Sequence, residues 1–115
     1  MPDRSIQLYG TYVLQRCMGR DEVIVRIRKH AEAIRAEGAT ALYLFGSAAR
    51  DEMGPTSDVD VFVEYDPKGR FSLLNMSGIR LIVMDELHRE VDITTRDSLH
   101  PLLKGKILAD AIRVL

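Results

Sequence analysis

The sequence has a single cysteine, Cys17, so no disulfide can close within the chain. It has no run approaching the ~18 apolar residues of a membrane-spanning helix. Its opening stretch, MPDRSIQLYGTYVLQRCM, lacks the long apolar core of a secretion signal. These absences argue against a disulfide-stapled secreted scaffold and suit a reducing compartment, so a cytoplasmic protein without membrane contact is expected. An excess of one charge is missing too. Sixteen Lys and Arg stand against 17 Asp and Glu, for a net charge of −1. Such a chain exerts no broad attraction on nucleic acid or anionic lipid, and direct nucleic acid binding is not expected. A phosphate-bearing ligand must then be held locally, by backbone amides, a few cations or a metal. Internal repeats and low-complexity segments are also absent.

What is present is the composition of an ordinary globular domain, 46% hydrophobic and 29% charged over 115 residues. Residues 1–17 fit a short strand, a helix or a loose arm equally well and read as an extension. Met18, just before a cleaner helix start, is a possible second initiator. Residues 18–115 read as one domain. Asp21 is expected to cap a helix reaching Glu37 and ending at Gly38. ALYLF, Ala41 to Phe45, reads as a buried strand broken by Gly46-Ser47, after which SAARDE begins a short helix. DVDVFVEY, Asp58 to Tyr65, is the second strand. A period of two puts Asp58, Asp60 and Phe62 on one face and Val59, Val61 and Val63 on the other. A helix over Phe71 to His88, a third strand at Glu90 to Thr94, a helix over Leu102 to Asp110 and a last strand at Ile112 to Leu115 complete the pattern. Strands and helices alternate, so the class is α/β or α+β with a small mixed sheet flanked by helices.

The chemistry concentrates in YLFGSAARDEMGPTSDVDVFVEYD, Tyr43 to Asp66. A strand running into glycine and then a helix lets backbone approach an anion closely, and Ser47 adds a hydroxyl donor. By itself Gly46-Ser47 is more often a plain turn. Asp58 and Asp60 share a strand face, their roots ~6–7 Å apart. Aspartate is disfavoured inside strands, so Asp60 between two valines asks for a reason. Asp92, opposite Val91 and Ile93 on the third strand, would complete a trio if that strand neighbours the second. Three such carboxylates repel one another unless a divalent cation sits among them. Two-metal phosphoryl-transfer sites are built this way.

Gly46-Ser47, ten residues, then Asp58-Val59-Asp60 resembles the signature of polymerase β-type nucleotidyltransferases. Its four fixed positions would match by chance in roughly one chain per thousand. The LFGSAAR lead-in, the EVDIT strand and the small size resemble the minimal nucleotidyltransferase branch, from about Met18 to Leu115. Many members of that branch pair with a HEPN-domain RNase as its antitoxin. The resemblance implies a polymerase β-like fold and an Mg2+-dependent enzyme binding two ions. Gly46, Ser47 and Arg50 would hold the nucleotide triphosphate. Asp58, Asp60 and Asp92 would be both metal ligands and catalytic residues, with Asp92 taking the proton of the attacking hydroxyl. A type VII-like antitoxin of this kind moves AMP from ATP to a tyrosine of its HEPN toxin. Other readings stay open: a non-catalytic antitoxin acting by complex formation, nucleotidyl transfer to a small hydroxyl compound, and homo- or hetero-oligomers with the toxin. Asp51 departs from the pattern, where the family often has glycine; it would either burden the triphosphate with an extra anion or point into solvent.

Plainer roles are expected elsewhere. His30, His88 and His100 read as surface or helix-end residues and Cys17 as inert. Arg4, Arg16 and Arg20 read as solvated. Asp85, Glu86 and Glu90 read as a wet helix end, Lys104 and Lys106 as a solvated helix face in preference to nucleotide contacts, and Tyr65 as a core or rim residue able to stack on a base.

Overall fold

A computed structural model describes residues 18–115; the readings of residues 1–17, Cys17 included, lie outside the described residues. In chain order the elements are α1 (Arg20–Arg28), α2 (Ala31–Ala36), β1 (Ala39–Phe45), α3 (Gly46–Ala49), β2 (Val59–Tyr65), α4 (Leu73–Leu87), β3 (Val91–Thr95), a 3-10 turn (Arg96–Ser98), α5 (Lys104–Asp110) and β4 (Ile112–Arg113). The four strands form one mixed sheet ordered β3-β2-β1-β4. β1 is antiparallel to both β2 and β4, whereas β2 and β3 run parallel. A parallel pair cannot be joined by a tight turn. Here α4 makes the crossover. A capping box starts it, with the Ser72 N–H bonded to Asn75 Oδ1 at 2.9 Å, and His88 ends it in the left-handed conformation.

The alternation read along β2 holds. Val59, Val61 and Val63 are fully buried with Leu42 and Leu44 of β1, against Val23 and Ile27 of α1, Ile34 of α2 and Ile79, Val83 and Leu87 of α4. On the opposite sheet face Phe62 is buried beneath aromatic neighbours on β1. Its ring stacks on Tyr43 at 4.8 Å and tilts against Phe45 at 5.7 Å. Aromatic pairs of this kind add about 0.5–1.5 kcal/mol beyond their buried area.

Four local expectations are corrected. The first helix is two, separated at Lys29 and His30. No glycine or proline causes the break. The His30 N–H bonds the Ile27 carbonyl three residues back, at 2.9 Å, and Ile27 and Ile34 are completely buried on either side of the turn. Second, Asp21 lies in the first turn of α1 rather than at its cap, which is Gly19; the Arg20 N–H is instead satisfied by Asp51 Oδ1 at 2.8 Å. Third, Arg20 is more than a solvated cation, since Nη1 also reaches the Ala49 carbonyl at 3.4 Å. Fourth, Glu86 is no wet helix end. Its side chain is 14% exposed and gathers Arg26 Nε at 3.3 Å, Lys29 Nζ at 3.4 Å and His30 Nε2 at 2.7 Å, tying α4 to α1 and to the turn before α2.

The hydrogen bond with His30, helped by Lys29, holds the Glu86 carboxyl below its ordinary value of 4.5. A carboxyl depressed by folding stabilises the fold above its unfolded pKa, and that contribution is lost as pH falls through the folded value. Glu86→Gln is therefore expected to cost about 1–2 kcal/mol at pH 7, the worth of a charged hydrogen bond. It should also flatten the fall in Tm below pH 4.5 expected of the native chain, as thermal melts at a series of pH values would read.

Candidate active site

β1 ends at Phe45, and the chain turns at Gly46 with φ of +71° before entering α3. This left-handed geometry favours glycine. A second constraint is local: a Cβ on Gly46 would lie 2.5 Å from Asp60 Oδ2. The antiparallel register explains the contact, because Phe45 pairs with Asp60 across β1 and β2. The parallel register on the other side pairs Asp60 with Asp92. Paired residues of neighbouring strands project to the same sheet face. Asp60 is thus flanked by the Gly46 backbone and the Asp92 side chain, with Asp58 just before β2 on the same end of the sheet. Asp58 and Asp92 are exposed, whereas Asp60 is half-buried.

Burial, then Asp92, then Asp58 raise the Asp60 carboxyl above its ordinary value of 3.8, and Arg50 opposes them. Among the described residues no hydrogen bond to the Asp60 carboxylate relieves it. This donor set fits a divalent cation. It offers hard carboxylate oxygens, carries uncompensated negative charge and sits beside a glycine that keeps the approach open. The set is adjacent rather than closed: among the described residues no three His, Cys, Asp or Glu side chains are gathered tightly enough to hold a metal as they stand. The exposed positions of Asp58 and Asp92 leave their rotamers free to change.

Two arginines that sequence reasoning passed over position this trio. Arg89 Nη1 donates to the carbonyls of Gly54 and Ser57 at 3.0 and 3.1 Å, fixing the loop that delivers Asp58. Arg80 Nε donates to the Val91 carbonyl at 2.8 Å, pinning the residue before Asp92. No motif marks either one, since each acts on backbone carbonyls brought near only by folding.

Ser47 follows Gly46 in α3, half-buried, and its carbonyl accepts the Glu52 N–H at 2.8 Å. Arg50 ends the turn, paired with Glu52 Oε1 at 3.0 Å and facing Asp110 Oδ2 at 3.9 Å. Asp51 is solvent-exposed, one of the two courses expected for it. Its φ is +60°, a conformation that glycine adopts without strain and aspartate tolerates. Its carboxylate is engaged by the α1 backbone. Beside Gly46 opens a cleft of about 270 Å³ lined by Phe45, Gly46, Arg50, Leu103, Lys106, Ile107 and Asp110. Lys106 therefore borders the site rather than open solvent alone. Tyr65 lies at the far end of β2, stacked on Phe71 at 4.8 Å, away from these residues. The histidines show no metal geometry. His88 caps α4, His30 bonds Glu86, and His100 Nδ1 accepts the Leu102 N–H at 3.2 Å. A larger, shallow depression of about 550 Å³ on Leu81, Ile82, Met84, Asp85 and His88 of the α4 side carries none of the candidate site carboxylates or the Gly46 turn.

A glycine turn against a strand carboxylate, on a mixed four-stranded sheet, fits a nucleotidyltransferase domain. Residues 27–114 match the nucleotidyltransferase domain family, and the chain belongs to it. It is 40% identical over 88 residues to a Methanocaldococcus jannaschii protein named as a candidate protein adenylyltransferase, covering 76% of this chain and 92% of that one. A second protein of that organism and description is 33% identical over 91 residues, covering 76% and 90%. Among solved structures, a candidate minimal nucleotidyltransferase superposes with a TM-score of 0.70 at 28% identity, over 83% of this chain and 95% of that one. A toxin–antitoxin complex crystallised with AMP-PNP shares the fold at a TM-score of 0.62 and 18% identity, over 77% of this chain and 72% of that one. No helix among the described residues is long and apolar enough to cross a membrane.

Because its environment raises the Asp60 pKa, ionised Asp60 costs the fold stability as pH rises through that raised value. Asp60→Asn should therefore raise Tm at pH 7 in EDTA by about 2–4 °C, a small shift because the group is partly solvated. Millimolar Mg2+ should raise the Tm of the native chain and leave that of the variant unmoved. A Tm that falls in the variant would show that the carboxylate is satisfied within the fold.

Proposed function

We propose that this nucleotidyltransferase moves AMP from ATP onto a tyrosine hydroxyl of a cognate HEPN-domain RNase toxin, and so acts as its antitoxin in the cytoplasm. The domain doing so is residues 18–115. The observation that carries the reading is the wedging of Asp60 between the Gly46 backbone and Asp92. A purely adhesive surface gains nothing from clustered carboxylates, which cost stability. The names of the relatives support protein adenylylation, and the toxin–antitoxin neighbours support the choice of acceptor.

On this reading Asp58, Asp60 and Asp92 hold two magnesium ions, while Gly46, Ser47 and Arg50 receive the triphosphate. Cations held there would polarise the α-phosphate oxygens and lower the pKa of the attacking hydroxyl. The chain's own residues do the rest. Gly46 leaves room for a phosphate against the turn, and Ser47 offers its hydroxyl as a donor. Arg50 balances negative charge beside Asp60. The tyrosine oxygen bonds to the α-phosphorus as its bond to the bridging oxygen breaks. Pyrophosphate leaves with that electron pair, and Asp92, the exposed carboxylate next to Asp60, takes the tyrosine proton. Adding AMP places bulk and negative charge on the toxin, which would repel RNA from its active site.

Incubation of the full chain with a candidate HEPN-domain RNase partner, Mg2+ and α-labelled ATP is expected to label that protein on tyrosine. Asp58→Ala and Asp60→Ala should each lower the rate by at least about a thousandfold, in line with removal of a charge-stabilising group in phosphoryl transfer. Neutralisation of the toxin that persists undiminished in Asp60→Asn, with no added mass on the toxin, would instead establish inhibition by complex formation.

A further inference from the structure

The cleft beside Gly46 shares a wall with the carboxylate site, because one side of Gly46 faces it and the other is pressed against Asp60. A ligand held at the carboxylates that reaches past Gly46 would enter it. Three of its walls, Phe45, Leu103 and Ile107, are apolar and reduce the water available to screen charge. Its charged groups are Arg50, Lys106 and Asp110. They are unequal in what they have left to give. Arg50 is already engaged by Glu52 at 3.0 Å and faces Asp110 at 3.9 Å. Lys106 has no anionic partner among the described residues. With a net charge of −1, the chain cannot rely on a general positive field to attract a polyanion.

The geometry points to Lys106 as the cation that holds the phosphate tail of the nucleotide, the part that departs as pyrophosphate. This rests on the reading of the site as an ATP-using nucleotidyltransferase and adds to it a residue from α5. A lysine suits this role because its ammonium is a compact charge on a flexible stem and follows a moving phosphate without fixed geometry. Its place also divides the labour. The carboxylate end handles the α-phosphate, and the α5 side holds the leaving group.

The test uses the full chain with Mg2+ and three probes, ATP, inorganic pyrophosphate and AMP, in calorimetric titrations. Lys106→Gln, at an exposed position, should melt with the native Tm. It is expected to weaken ATP and pyrophosphate binding about tenfold and AMP binding less than about twofold, the pattern of one lost charge contact to the tail. Lys106→Arg should restore affinity for ATP to within about threefold of native. Native affinity for ATP in Lys106→Gln would overturn the assignment, as would equal losses for AMP and ATP. A native chain that binds no ATP would overturn the proposed function itself and this assignment with it, so the two failures are told apart by the native titration.

Discussion

The carboxylate of Asp60 has almost nowhere comfortable to be. It is half-buried, it faces Asp92 across a parallel register, Asp58 sits two residues away, and the turn at Gly46 leaves no room for a side chain on its other side. Negative charge concentrated in this way raises the energy of the ionised form. A fold under no demand for such a cluster would replace it with valine, as the neighbouring positions Val59 and Val61 do. The strain is tolerable because the surrounding sheet is rigid and well packed, and it is of the kind that a cation and a polyphosphate relieve.

The architecture delivers the cluster with few elements. Antiparallel pairing of β1 and β2 brings the glycine turn to the start of β2. Parallel pairing of β2 and β3, made possible by the α4 crossover, brings Asp92 to the same level. Apolar packing on the helix side and the Tyr43–Phe62–Phe45 group on the other side hold the strands in register. A slip of one residue would turn Asp60 into the helix layer. Arg80 and Arg89 then fix the two backbone segments from which Asp92 and Asp58 project.

Family membership gives the chemistry its class, nucleotidyl transfer, and the match over residues 27–114 leaves little of the described chain for anything else. The cleft between the Gly46 turn and α5 is small, and its apolar walls with two cations suit part of a nucleotide better than a bulky acceptor.

Local pattern by itself determined much of this. The period of two in DVDVFVEY fixed which β2 side chains face the helices. The Gly-Ser turn and the aspartate spacing identified the family, and the alternation of elements gave the class. Short-range rules failed where distant partners decide. The first helix breaks at Lys29 and His30, where His30 meets Glu86 of α4, a partner beyond any local window. For Asp51 two courses stood open, a burden on the site or exposure to solvent, and the fold leaves it exposed with its carboxylate on the Arg20 amide. Glu86 looked solvated until Arg26, Lys29 and His30 converged on it. Arg80, Arg89 and Lys106 carry no motif, because a charge acquires its role from what lies across the fold. Sequence specifies periodicity and chemical type through neighbours along the chain. Which charges meet, and which stay unpaired at the edge of a cleft, is settled only when strand register and helix packing bring remote residues within a few ångströms.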